Sequence, residues 1–173
     1  MFALWPARPD GGPPTRYRAA AATRNGMTTR RIWWRDSWLA PTWLAGMVVA
    51  AGYGWLQGGA TPSLSVLALL VLATLVVVYP VLEEIVFRGL IQPALMKSTR
   101  GLHLGPLTLA NGLTSILFAT MHLLNHPPLH AALVLWPSLV FGIFRDRSAS
   151  VLPGMLLHVS WNAAVLLSPW AWS

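Results

Sequence analysis

Only five of the 173 residues are acidic, and two of them, Glu83 and Glu84, stand side by side in an otherwise apolar run, Tyr79-Pro-Val-Leu-Glu-Glu-Ile-Val-Phe-Arg-Gly-Leu. An ionised side chain at bilayer depth costs about 2.5 to 3.5 kcal/mol even on the lenient insertion scale, so an acid in such a run needs a functional reason. Arg88 follows Glu84 by four residues. On a helix that spacing shares one face, which makes Glu84 and Arg88 the natural ion pair and leaves Glu83, about 100° round the helix, free. The competing reading is a Glu-Glu-Arg cluster that snorkels at the interfacial end of a span.

Two further apolar runs carry polar residues at helical spacing. Ser115-Ile-Leu-Phe-Ala-Thr-Met-His places His122 one turn after Phe118 on the same face. Leu157-His-Val-Ser-Trp-Asn-Ala places His158 and Asn162 at i and i+4, two side-chain donors able to converge on one oxygen. A lone imidazole can satisfy itself on a backbone carbonyl, so His122 alone is as consistent with packing as with catalysis. Taken together, Glu83, Glu84, Arg88, His122, His158 and Asn162 put a base, a second acid-base group and two hydrogen-bond donors on three helices.

Hydrolysis of a peptide bond by an activated water is the chemistry that suits this set. Glu83, shielded from solvent, takes a proton from the water. His122 holds the same water and passes a proton to the leaving amine, while His158 and Asn162 stabilise the oxyanion of the tetrahedral intermediate. Arg88 keeps Glu84 ionised and fixes the helix face. The scheme calls for no metal and no cofactor.

The elements that must position these residues follow from charge and punctuation. Residues 37–82, 101–144 and 148–173 contain no Asp, Glu, Lys or Arg, and each stretch exceeds the roughly 20 residues that one spanning helix needs. With 55% hydrophobic residues, 10% charged residues and a positive mean hydropathy, a bilayer is the expected solvent. The reading is all-α, a polytopic transmembrane helix bundle with five spans at about 38–56, 64–86, 107–124, 129–144 and 151–167. The second extends as a kinked or amphipathic helix toward Met96, past Pro80, and the fourth is short.

Basic residues sort to one side: seven Arg within residues 1–35, then Lys97 and Arg100, then Arg145 and Arg147. The positive-inside rule therefore predicts a cytoplasmic N-terminus and an outer C-terminus, where Trp170 and Trp172 anchor at the interface. The net charge of +7 suits anionic lipid headgroups and not nucleic acid, because the basic residues flank apolar runs. Residues 1–35, rich in Arg, Pro, Ala and Gly without periodicity, read as a disordered cytoplasmic tail, and 36–173 as the transmembrane catalytic domain with its motif-bearing core at about 64–167. Met27, just ahead of the first apolar run, is an alternative start. A signal peptide does not fit, since the run 38–56 is too long for an h-region and leads into further spans.

The absence of Cys removes thiol catalysis, thiolate metal sites and disulfides. A metalloenzyme is a rival, because His122, His126, His130 and His158 with Glu83 include enough zinc ligands. Pro127-Pro128 breaks the i, i+4, i+8 series, however, and no HExxH occurs, so His126 and His130 are expected in an outer loop. A di-iron oxygenase needs more His clusters, and serine intramembrane chemistry lacks its nucleophile motif. A non-catalytic immunity protein, scaffold or proton-coupled transporter component stays open.

The patterns EExxxR (Glu83, Glu84, Arg88), FxxxH (Phe118, His122) and HxxxN (His158, Asn162), in that order on successive apolar segments, resemble the CAAX prenyl protease and bacteriocin-processing family, or Abi family, of glutamic intramembrane proteases. The resemblance implies a four-helix core with motifs on its first, second and fourth helices, matching spans two, three and five. It further implies water activation by Glu83 with His122, an oxyanion site at His158 and Asn162, metal independence and a membrane-anchored protein or peptide substrate. In length the chain is similar to compact bacterial members that process C-terminal membrane anchors, which implies a bacterial inner membrane. By linear depth, at about 1.5 Å per residue, His122 lies further from the cytoplasmic face than His158, so tilt or a kink near Pro153-Gly154 is expected to bring them level.

Overall fold

In a computed structural model the described residues are 32–58 and 65–168. Residues 1–31 of the expected tail, Met27, the start of the second span at Leu64, and Trp170 and Trp172 lie outside them. The described part is the all-helical bundle that the charge-free runs predict, with five helices and one two-residue hairpin.

Helix α1 (Leu39–Gln57) follows a short turn at Trp33–Arg35. Its start is set by Asp36, whose carboxylate accepts the Trp38 N–H at 3.0 Å. Helix α2 runs over Val66–Ser98, 33 residues, and begins at Ser65, whose hydroxyl caps the Ala68 N–H at 3.2 Å. At 1.5 Å per residue it is about 50 Å long, well beyond the ~30 Å hydrocarbon core. It therefore passes not just to Met96 but to the basic turn that holds Lys97 and Arg100. Two wide π-turns interrupt it, Thr74–Val78 and Ile85–Ile91, and a proline follows each within two residues of its end, Pro80 and Pro93.

The hairpin pairs His103 with Thr108 and Leu104 with Leu107, with Gly105 at φ 59 in its turn, a conformation that favours glycine. It takes Leu107 and Thr108 out of the predicted third span, so helix α3 is confined to Leu109–His122. Thr108 caps it through the Asn111 N–H at 3.0 Å. Helix α4 (Pro128–Ser148) is five residues longer than its apolar run, because Arg145, Asp146 and Arg147 end the apolar stretch without ending the helix. Its stop comes at Ala149, in the left-handed conformation at φ 53. Helix α5 (Leu152–Leu167) carries Pro153 in its first turn, where a missing N–H does no harm. No proline kink therefore arises at Pro153-Gly154.

Among the described residues α1, α2 and α4 are long and apolar enough to cross a membrane, and α5 is a shorter apolar helix. Large apolar side chains such as Val48, Val49, Leu67 and Leu124 are exposed, the pattern expected of a bundle that meets lipid. Inside, polar residues hold the helices together. Trp43 Nε1 on α1 donates to Ser160 Oγ on α5 at 2.9 Å, and Gly46 leaves the space that the Trp161 ring occupies. Asn111 Nδ2 on α3 donates to the Leu139 carbonyl on α4 at 2.9 Å, again over a glycine, Gly142. At the basic end Asp146 accepts from Thr108 Oγ1 (2.7 Å) and Gln92 Nε2 (2.8 Å), joining α4 to the hairpin and to α2. Arg147 donates two hydrogen bonds of 2.7 Å to Asp36, a bidentate fork that ties α4 to the entry of α1.

Candidate active site

Helix α2 brings the two glutamates to the interior between its wide turns. Glu84 and Arg88 are both fully buried, and Arg88 Nη1 lies 3.2 Å from Glu84 Oε1, the i, i+4 pair that the spacing predicts. The contact is ionic and not an aligned hydrogen bond, since Nη1 meets no acceptor with hydrogen-bond geometry. Arg88 spends its better donor on α4: Nη2 donates to the Ser138 carbonyl at 2.8 Å and to Ser138 Oγ at 2.6 Å. Its guanidinium carbon sits 4.9 Å from the Phe118 ring centroid, 5.6 Å from Phe141 and 6.0 Å from Phe87. Three ring faces and one serine thus replace the water a buried cation would otherwise demand.

His158, 7% exposed, stands between the two carboxylates. Its Nδ1 is 3.2 Å from Glu84 Oε1 and its Nε2 is 3.6 Å from Glu83 Oε2. Spacing along α2 pairs Glu84 with Arg88 only; the crossing of α5 adds His158. The imidazole is stacked on Phe141 at 4.9 Å and edge-on to Phe118 at 5.9 Å, which fixes its plane. Glu84 Oε2 points at Gly154, where a Cβ would stand 2.5 Å from it. Only glycine leaves room for the carboxylate there.

His122 ends α3. Its Nδ1 lies 2.9 Å from the Phe118 carbonyl. A carbonyl only accepts, so Nδ1 is the donor of this contact and Nε2 is left without a backbone partner. Its ring centroid is 4.6 Å from that of Phe118, and Phe118 thus lies between the imidazoles of His122 and His158. Both imidazoles thus meet the same ring, and α5 carries no kink at Pro153-Gly154. Asn162, partly exposed, donates through Nδ2 to the Leu75 carbonyl on α2 at 3.4 Å.

Of the residues singled out in the sequence, Glu84 meets Arg88 and His158, and His158 approaches Glu83; Phe118 packs on Arg88 and both imidazoles and is the link between His122 and this cluster; Asn162 reaches α2 at the first wide turn. His126 stands in the connection between α3 and α4, as the Pro127-Pro128 break predicts, whereas His130 is not in a loop. His130 is in the first turn of α4, with Nδ1 3.1 Å from Tyr53 Oη on α1. The Pro127-Pro128 break folds back and does not disperse the rings: centroids of His122, His126 and His130 lie 4.4 to 6.3 Å apart, with interplanar angles of 24° to 30°. Near-parallel rings turn faces to one another, and among the described residues no group of three His, Asp or Glu is arranged to hold a metal ion.

Ser138, Phe141 and Gly154 are the site residues that the spacing arguments miss. Ser138 had a faint signal, a hydroxyl after Pro137 inside an apolar helix; Phe141 and Gly154 had none, because their roles exist only where α4 and α5 cross α2.

A family model described as Rce1-like, type II CAAX prenyl endopeptidase, matches residues 64–164. That range holds every residue of the cluster. No curated protein and no solved structure matches the chain.

Proposed function

The chain belongs to the Rce1-like family of type II CAAX prenyl endopeptidases, and from that premise we propose a glutamic mechanism, independent of metal, carried by Glu83, His122, His158 and Asn162. Membership makes the chain a CAAX protease-type enzyme that acts on membrane-anchored proteins, and its three long apolar helices make it an integral membrane protein.

The observation that carries the mechanism is the division of labour between adjacent carboxylates. Glu84 is buried and engaged by Arg88 and His158, whereas the side chain of Glu83 is 33% exposed and approaches only the Nε2 edge of the same imidazole. Glu83 is therefore the carboxylate with room for a water. It takes one proton from that water as the oxygen attacks the scissile carbonyl carbon. His122, with Nδ1–H committed to a backbone carbonyl, takes the second proton of that water at Nε2 and delivers it to the amine as the C–N bond breaks, and Glu83 then gives up its proton to the released amine. His158, which donates from Nδ1 to Glu84, acts as the imidazolium, its charge balanced by the two carboxylates, and donates from Nε2 to the oxyanion. Asn162 has two amide protons: one meets the Leu75 carbonyl, which orients the group, and the other is left for the oxyanion.

We place the enzyme in a bacterial cytoplasmic membrane with its basic turns toward anionic headgroups, residues 1–35 forming a cytoplasmic tail and 36–173 the catalytic domain. The test is cleavage, by protein purified in detergent, of a farnesylated C-terminal peptide and of an unprenylated membrane-anchored peptide. Cleavage of either that is abolished by Glu83→Gln and indifferent to phenanthroline supports the mechanism. Loss of activity with the chelator, restored by zinc, would contradict a metal-independent mechanism. Full activity of Glu83→Gln would rule out the glutamate as base.

A further inference from the structure

Helix α2 is interrupted twice by the same device. In the first wide turn the Tyr79 N–H bonds to the Thr74 carbonyl, five residues back. The next residue is Pro80, which has no N–H, so the Leu75 carbonyl loses the donor its own helix would supply. In the second, the Gln92 N–H bonds to the Phe87 carbonyl and the next residue is Pro93. Here the Arg88 carbonyl is the one deprived. A backbone carbonyl stranded in a membrane interior must find a partner elsewhere, and each finds one on another helix: Asn162 Nδ2 on α5 for Leu75, and Arg145 Nε on α4 for Arg88, at 2.7 Å.

We propose that Arg145 is a positioning residue for the active site, its Nε–H standing in for the amide proton that Pro93 lacks. By holding the Arg88 carbonyl it keeps the second wide turn open. That turn sets the Arg88 guanidinium against Ser138 and Glu84, and Glu84 in turn holds His158. Nothing in the spacing of the sequence pairs Arg145 with Arg88, two residues of the same charge; the contact is cation to carbonyl, and only an arginine carries an N–H fixed at that point of its side chain. The proposal rests on the peptidase reading for its effect on turnover, but not for the pairing of Arg145 with Pro93.

Because the missing group is one amide proton, it can be put back. Arg145→Met removes the substitute donor, and Pro93→Ala returns an N–H five residues beyond Arg88. Arg145→Met should lower kcat about tenfold with little change in KM, and lower Tm. Adding Pro93→Ala to it should restore both, and Pro93→Ala alone should resemble the wild type. A guanidinium that served only headgroup binding or helix packing would not be rescued by a change at position 93. If Arg145→Met does not fold, the yield of monodisperse protein from the double variant is the readout, and recovery supports the pairing. The proposal is overturned if Arg145→Met keeps wild-type kcat and Tm, or if Pro93→Ala restores neither activity nor Tm nor yield. Should the wild type cleave no peptide, the peptidase reading has failed while the Tm cycle still decides the pairing.

Discussion

The wide turn at Thr74–Val78 and the one at Ile85–Ile91 share a backbone pattern and a following proline, yet only the second turns buried side chains inward. The first is flanked by exposed Leu75, Val77 and Val78, and its stranded carbonyl is met at 3.4 Å by a partly exposed amide that keeps a second proton unused. The second exposes Ile85, Val86 and Leu90 but buries Phe87 and Arg88, and its stranded carbonyl is met at 2.7 Å by a guanidinium. Where water is excluded, the stranded carbonyl has to be met by protein, and here a charged donor meets it at short range. Where the turn is open, a looser partner suffices, and in the proposed mechanism the spare donor serves the oxyanion. Glu83 and Glu84 lie between the two turns, one carboxylate inheriting the character of each.

Four substitutions probe this contrast. The largest effect is expected at Glu83: Glu83→Gln should lower cleavage by about 10²- to 10⁴-fold, the range for loss of a general base, with Tm unchanged. An equal fall in Tm would show that Glu83 belongs with the buried cluster. Arg88→Met removes one partner of a buried pair and strands Glu84, which typically costs about 3–5 kcal/mol. Thermal melting should show that loss, and a wild-type melting curve would mean that the buried pair adds nothing to stability.

Asn162→Ala should lower kcat by about 10²- to 10³-fold, as for one oxyanion donor. Adding Pro80→Ala should leave that loss in place, because an amide proton at position 80 can serve the Leu75 carbonyl but not an oxyanion. Rescue there would make Asn162 a cap like Arg145 and erase the difference between the turns. The smallest effect is expected at Gly154→Ala, where a methyl crowds Glu84 Oε2; overpacking of this kind costs about 1–3 kcal/mol. A Tm measurement that detects no change would mean the carboxylate has slack the geometry does not reveal.

Much of this arrangement is legible along single helices. The Glu84–Arg88 pair, the His158–Asn162 face and the Phe118–His122 stack follow from i, i+4 geometry, and charge-free runs are enough to mark five helices. Ends are harder to read: α3 loses Leu107 and Thr108 to a hairpin, and α4 continues through Arg145, Asp146 and Arg147, because apolar content marks where lipid begins and not where backbone hydrogen bonding stops. Pro80 suggests a kink, but that α2 widens into two π-turns and continues to Ser98 is not legible in the residue types.

Spacing within one helix is a local property, set by 3.6 residues per turn, and so residue types alone dictate the bundle class, the buried ion pair and which side chains share a face. Contacts between helices depend on crossing angles and on the small residues that permit close approach. Only the packed bundle therefore decides that one imidazole sits between two adjacent carboxylates, that Ser138 and three rings receive the arginine, and that a cation on α4 completes a backbone hydrogen bond on α2.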